Sequence, residues 1–435
     1  MITLDAIRQP VTKELEAYEA FLERQFTAEG DLLNEMLQHA LSSRGKGVRP
    51  LLVTLSAAMN ARTAGAAGGQ RVSLAAMLVE MIHTASLIHD DVIDEADERR
   101  GRPSANALWQ SRKAVLLGDY ILARNMAIGL ESGQFDLVSH ICGRMATLCE
   151  GELLQDDCVR KQNMTRRTYL DIIYKKTACL LGVSASSGAL AVGATRDKVT
   201  TMRRFGEALG MAFQIQDDIL DYSPSAATGK PLANDLREGK ITLPLLVILD
   251  RVDDKRRAYL LDRLQKCHED EAAVEELQNL VIEEGGLAES QAVMQGYIAR
   301  AVQLLSEYPD TPYRTSLVHL CTFVAVRNKL FFDFIGNISS FLVRPEWEIR
   351  LVCPIQAELR HDKICSSKIK KTRRILRSLM KLRRLKNHSL ISLKSLISLI
   401  SLISFSYYLF ALCSCLFALF FLTEKPNVPS FSPSV

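Results

Sequence analysis

Apolar residues recur along this chain every three to four positions over long stretches, the spacing of helices with one buried face. The pattern is clearest from Leu74 to Ile93, from Val115 to Leu130 and from Phe205 to Leu220. Alternation of β-branched and polar residues, the mark of half-buried strands, is rare. Breaks fall at Ser42–Gly47, Ala61–Gln70, Arg99–Ser104, Asp156–Thr165, Ser223–Lys240, Gly285–Gly286 and Tyr308–Thr311. They divide residues 1–329 into roughly ten or more helices, so one continuous all-α domain is expected.

The pattern changes after Lys329. Residues 330–386 form a linker without a clean period, ending in a basic run from Lys368 to Lys386. Residues 387–435 are a low-complexity apolar tail in which Ser-Leu-Ile recurs from Ser389 to Ser404. The uncharged stretch from Ser395 to Thr423 is long enough to span a bilayer. Two readings stand. One is a membrane anchor with its basic flank on the cytoplasmic side. The other is a non-native extension, from read-through or a shifted frame.

With 435 residues, 48% hydrophobic and 24% charged, the chain can bury a large core. The net charge of +4 hides an asymmetry: residues 1–329 carry about −6 and the remainder about +10. A mildly acidic body argues against a nucleic-acid partner. The ten cysteines form no C-x-x-C pair, so zinc is not expected and the thiols should stay reduced. Met1 to Glu16 lacks the apolar centre of a signal peptide. A cytoplasmic location is therefore expected, with membrane association if the tail is genuine.

Two copies of one acidic pattern carry the candidate chemistry: Asp90-Asp91-Val92-Ile93-Asp94 and Asp217-Asp218-Ile219-Leu220-Asp221. Each ends an apolar helical run. Carboxylates at i and i+4 share a helix face. Crowded at a helix C-terminus, itself partly negative, they call for a cation. Hard divalent ions, Mg²⁺ above all, suit oxygen ligands and share their shell with substrate phosphate.

The stretch from Leu87 to Asp94, followed by Arg99-Arg100-Gly101, resembles the trans-isoprenyl diphosphate synthases. Four more segments are similar to that family in order and spacing. They are Gly45-Lys46-Gly47-Val48-Arg49-Pro50, the pair Lys176-Thr177, the run Phe213 to Asp218, and the run Asp235 to Pro244. The resemblance covers residues 1–329 and stops before the tail. It implies an isoprenoid synthase-type helical bundle around a deep central cavity, with the aspartate motifs facing each other across its mouth. It further implies an enzyme that joins isopentenyl diphosphate to an allylic diphosphate, in most cases as a homodimer.

By that resemblance Asp90, Asp94 and Asp217 are the main Mg²⁺ ligands, supported by Asp91, Asp218 and Asp221, with three ions per site. Arg99, Lys176, Lys230 and Lys240 hold the allylic diphosphate. Lys46, Arg49, His83 and Arg100 form the isopentenyl diphosphate pocket, and Thr177 and Gln214 line the reaction centre. A lone histidine in an apolar helix is ordinarily a core residue. His83 earns its place by lying seven residues before Asp90, on the same face. The physical logic agrees with these roles. Ionising an allylic C–O bond creates a carbocation and a diphosphate anion together, and the site must stabilise the anion and shelter the cation from water.

The growing chain should run beside the helix that ends in Asp90, past Ala85 and Ser86 with Ile82 and Met81 deeper. These residues are not aromatic, so the tunnel should stay open and the product should exceed C20. The phrase Met81 to His89 resembles the bacterial long-chain subgroup that makes quinone side chains of about C30 to C45. The rivals are a class I terpene cyclase, a non-catalytic subunit of a heteromeric synthase, and a membrane-interaction protein defined by its tail. The second DDxxD and the basic Lys46/Arg49 motif count against the first, and the complete set of charged motifs against the others.

Overall fold

The computed structural model describes residues 2–42, 45–63, 65–222 and 233–326. Lys230, the boundary at Lys329, the 330–386 linker and the 387–435 tail lie outside the described residues. The helices are α1 (Leu4–Arg8), α2 (Thr12–Gln25), α3 (Asp31–Ser42), α4 (Val48–Asn60), α5 (Gln70–Ile93), α6 (Ala105–Glu131), α7 (Phe135–Cys142), α8 (Met145–Lys161) and α9 (Arg166–Ile173). They continue with α10 (Cys179–Ala191), α11 (Arg196–Asp221), α12 (Asn234–Arg237), α13 (Leu243–Leu249), α14 (Asp254–Lys266), α15 (Glu271–Glu283), α16 (Gly286–Leu305) and α17 (Pro312–Val326). A π-helical turn, Tyr174–Ala178, joins α9 to α10. The strands among these residues are β1 (Glu98–Arg99) and β2 (Arg102–Pro103), one two-stranded hairpin.

The expected all-α fold is observed. Helix α10 is apolar on nearly every side and buried along nearly its whole length, which places it at the centre of the bundle. It packs against α4, α5 and α11. Small residues make the packing close. A Cβ at Gly206 would fall 2.3 Å from the Leu181 carbonyl oxygen, and one at Gly188 would fall 2.1 Å from that of Val53. Helix α5 is long and apolar enough to cross a membrane, but most of it is buried inside this bundle. One hydrophobic cluster gathers on α5, α6 and α7, and another on α10, α11, α13 and α16. Each fully buried Leu, Ile or Phe contributes roughly 1.5–3 kcal/mol.

One expected break is shorter than the sequence suggests. Helix α8 runs through Asp156 to Lys161, and only 162–165 are non-helical. Asp157 pairs with Arg160 and Lys161 at 2.6 Å, and the two cations close the helix where its dipole favours positive charge. Gln162 ends it with a left-handed φ of 49°.

Candidate active site

The first aspartate motif marks the end of α5. Asp94 is the C-cap, and its N–H donates to the Asp90 carbonyl at 2.8 Å. The hairpin that follows turns on Arg100 (φ 57°) and Gly101 (φ 74°). Positive φ at both central residues is the requirement of the tightest hairpin turns. A non-glycine residue there is strained, so the surroundings must hold Arg100. They do: a Cβ at Gly45 would lie 2.6 Å from the Arg100 guanidinium. The first glycine of Gly45-Lys46-Gly47 thus leaves room for Arg100. The second takes φ 57° as it opens α4, which carries Arg49.

This arrangement splits the charged residues into two neighbouring groups. In one, Asp90 feels Glu152, Lys176, Arg99 and Asp94. Burial first, and then the Glu152 charge, push its carboxyl up to about 6. Lys240 lies within the field of Asp94 and Asp235 and is ion-paired with Glu238. Burial opposes its charge, but these carboxylates prevail and raise its pKa. The π-turn presents Lys176 to α8, where its Nζ lies 2.6 Å from Glu152 and 3.1 Å from Gln155 Oε1. Gly151 makes that approach possible, since a Cβ there would come within 2.7 Å of the Lys175 side chain.

The other group comprises Arg49, Arg100 and His83, with Glu80 buried among them on α5 and Arg99 standing between the two groups. Burial lowers the Arg49 pKa to about 10, against the pull of Glu80. His83 is held neutral by burial and by the three arginines. Glu80, His83, Arg99 and Arg100 line one narrow cleft of about 40 Å³. Lys46 is exposed and lies over the Phe323 ring, 5.6 Å from its centroid.

The middle aspartates face inward. Asp91 is buried and accepts from Arg99 Nε at 2.5 Å. Burial raises its pKa, and Arg99 opposes that rise. Asp218 is also buried, accepting from Tyr169 Oη at 2.5 Å and from Gln214 Nε2 at 3.0 Å. Burial raises its pKa against those two donors. Thr177 Oγ1 donates to Gln214 Oε1 at 2.7 Å, so one chain of bonds runs Thr177, Gln214, Asp218, Tyr169. Asp221 accepts from the N–H groups of Asn234 and Asp235 at 3.1 and 2.9 Å, holding the start of the segment that leads to Lys240. Asp217 lies beside Asp218 on α11.

The chain-length candidates sit in or near the core. Met81, Ile82 and Ala85 are buried, and Ser86 is half-buried with its hydroxyl donating to the His83 carbonyl at 2.9 Å. At about 100° per residue, Ser86 and His83 lie near the Asp90 face of α5, while Ala85 lies well round from it.

Among the described residues no three His, Cys, Asp or Glu side chains form a metal cage by themselves. The donors nevertheless fit a hard cation shared with phosphate oxygens. They are carboxylates, and burial and the Glu152 charge disfavour an ionised Asp90, a penalty that a cation would relieve.

Residues to which sequence reasoning gave no binding or catalytic role also belong here. Glu80 sits between the arginines, Tyr169 holds Asp218, and Glu152 and Gln155 hold Lys176. Asp235, half-buried near Asp218 and Asp221, has its pKa raised strongly by desolvation and by those two charges. An acidic residue inside an apolar helix, as Glu80 is, was a legible signal. Tyr169 offered none.

Comparison with known proteins identifies the family and the fold. The polyprenyl synthetase family model matches residues 30–281. An all-trans-nonaprenyl-diphosphate synthase (geranyl-diphosphate specific) of Rhodobacter capsulatus is 32% identical over 315 residues, spanning 72% of this chain and 95% of the relative. Heptaprenyl diphosphate synthase component 2 of Geobacillus stearothermophilus is 34% identical, spanning 75% and 99%. The solved structure of a polyprenyl synthase from Caulobacter crescentus, complexed with calcium and isoprenyl diphosphate, superposes with TM-score 0.68 at 29% identity, covering 74% of this chain and 97% of that one. The chain belongs to the polyprenyl synthetase family, as a prenyl-transferring enzyme of the bacterial long-chain trans type with the all-helical isoprenoid synthase fold.

Proposed function

We propose that this enzyme adds isopentenyl diphosphate units to an allylic diphosphate, with Mg²⁺, to make a polyprenyl diphosphate of about C30 to C45 for quinone side chains. The observation that carries the reading is the meeting of Asp90, Asp94, Arg99, Lys176 and Lys240, from four separate segments, in one charged group.

Asp90, Asp94 and Asp217 would hold the metal, with Asp91, Asp218 and Asp221 keeping the surrounding loops and cations in place. Bound there, Mg²⁺ neutralises the charge that develops on the departing diphosphate. Arg99, Lys176 and Lys240 grip the allylic diphosphate, and arginine's fork suits its oxygens. Arg49 and Arg100, ordered by Glu80, hold the second diphosphate beside His83. The C–O bond of the allylic substrate breaks, the isopentenyl double bond attacks the cation, and a proton leaves to the released diphosphate. Thr177 and Gln214, bonded to each other, line the space where the cation forms.

The apolar residues left exposed on α6, Leu108, Val115 and Leu116, support a subunit interface, which we assign to a homodimer. The family resemblance supports the long-chain product. The test is turnover of the purified chain alone with both diphosphates and Mg²⁺. Asp90→Ala and Asp217→Ala are each expected to lower kcat by roughly 10³-fold, the scale of losing a major electrostatic stabiliser. Near-normal turnover of either variant at saturating Mg²⁺ sinks the metal-clamp assignment. Inactivity of the intact chain alone would favour a heteromeric enzyme.

A further inference from the structure

A groove of about 660 Å³ lies between α9, α11 and α16, apart from the charged groups described above. Its size is that of small-molecule sites. Three helices bring one arginine each to its rim: Arg167 on α9, Arg204 on α11 and Arg300 on α16. All three are exposed, and none has an ion-pair or hydrogen-bond partner among the described residues. The two carboxylates of the groove do not neutralise them. Asp171 is paired with Lys175 at 3.2 Å. Glu207 is paired with Arg203 at 2.6 Å and accepts from Tyr174 Oη at 3.2 Å. The net charge left at the rim is therefore positive. Between the arginines the wall is mixed: Leu154, Leu170 and Met211 give apolar surface, and Thr168, Tyr174 and Tyr297 lie alongside them.

Unpaired guanidinium groups beside a wall with an apolar strip match a ligand with an anionic head and an apolar chain. Arginine forks suit the several oxygens of a diphosphate, and flexible side chains such as Met211 suit an isoprenoid chain. We infer that this groove is a second binding site for a prenyl diphosphate, separate from the catalytic cavity and independent of metal. The choice of a prenyl chain rests on the reading that the enzyme makes such molecules. The groove is also placed to report occupancy. Tyr169, which holds Asp218, lies between Thr168 and Leu170 of its wall, and Leu154 adjoins Gln155, which holds Lys176.

The test is calorimetric titration of the full chain with farnesyl thiodiphosphate, which resists ionisation, in excess EDTA. Saturable binding is expected for the wild type and for Asp90→Ala. The double variant Arg204→Glu/Arg300→Glu should bind at least about tenfold more weakly, since two charge-assisted contacts are reversed. Its Mg²⁺-dependent turnover at low substrate should match the wild type, because neither arginine belongs to the catalytic groups. Inorganic diphosphate and dihexanoyl phosphatidic acid should each bind at least about tenfold more weakly than the thiodiphosphate. Unchanged binding in the double variant overturns the proposal, as does absence of binding in EDTA. Loss of binding in Asp90→Ala would place the ligand in the catalytic cavity. Equal or tighter binding of inorganic diphosphate would make the groove a simple anion site. The same result with phosphatidic acid would assign it to phospholipid.

Discussion

Gly210 sits where α11 passes the π-turn that carries Lys176 and Thr177. A Cβ there would fall 2.5 Å from Ala178 Cα and 3.0 Å from Ala178 Cβ. The contact is with backbone, so no side chain can swing away. Restoring a 3.4 Å contact requires the two elements to part by roughly 1 Å. Overpacking of this kind reaches about 3 kcal/mol, and alanine's higher helix propensity returns about 1, leaving Gly210→Ala about 2 kcal/mol less stable. The same opening would stretch the 2.7 Å Thr177–Gln214 bond past hydrogen-bond range, so turnover should fall as well. Gly296, inside α16, is the matched control, because a Cβ there meets nothing within 4 Å. Gly296→Ala should gain about 1 kcal/mol and leave turnover unchanged. Urea unfolding of both variants beside kcat reads out the difference. If Gly210→Ala proved as stable as Gly296→Ala, the close approach of α11 to the π-turn would be refuted.

Arg49→Ala should raise KM for isopentenyl diphosphate more than for the allylic substrate, and Lys240→Ala should do the reverse; equal effects on both constants would collapse the two groups into one. Ala85→Phe adds a ring on the α5 face proposed to border the growing chain and should shift products toward C15 or C20 while sparing the first condensation. An unchanged product ladder would place the tunnel on another face of α5, with Ser86 the next position to test. His140, whose Nε2 is 2.7 Å from Ser186 Oγ, has its pKa lowered below the ordinary 6.5 by burial and then by Arg144 and Arg203. Because the unfolded chain takes up that proton first, stability should be full above pH 6.5 and fall as pH drops toward the folded value, by at most about 1.4 kcal/mol per pH unit for this group. His140→Gln should flatten that slope in pH-dependent urea unfolding, and an unaltered slope would show that His140 is not the group responsible.

The elements that carry chemistry were legible where local pattern and chemistry coincide. Helices α5 and α11 show a long apolar period that ends on aspartates, and Arg99-Arg100-Gly101 has turn chemistry at its tip. The α8 terminus was misplaced because Asp156 and Asp157 look like a polar break, whereas i to i+3 and i+4 pairs let the helix continue. The inward role of Asp218 was hidden because its donor, Tyr169, lies 49 residues away and only tertiary packing joins them. The same holds for Thr177 and Gln214, 37 residues apart. The π-turn at Tyr174–Ala178 was hidden because α10 beyond it is apolar on nearly every side, so the phase shift of one extra residue moves no polar face.

The most direct measurement is chromatography of products after incubating the purified chain with isopentenyl and farnesyl diphosphates, with Mg²⁺ and with EDTA. A ladder ending between about C30 and C45 with Mg²⁺, and no elongation in EDTA, is the predicted result. Products that stop at C20 or below, or elongation that persists without a divalent ion, would contradict the account.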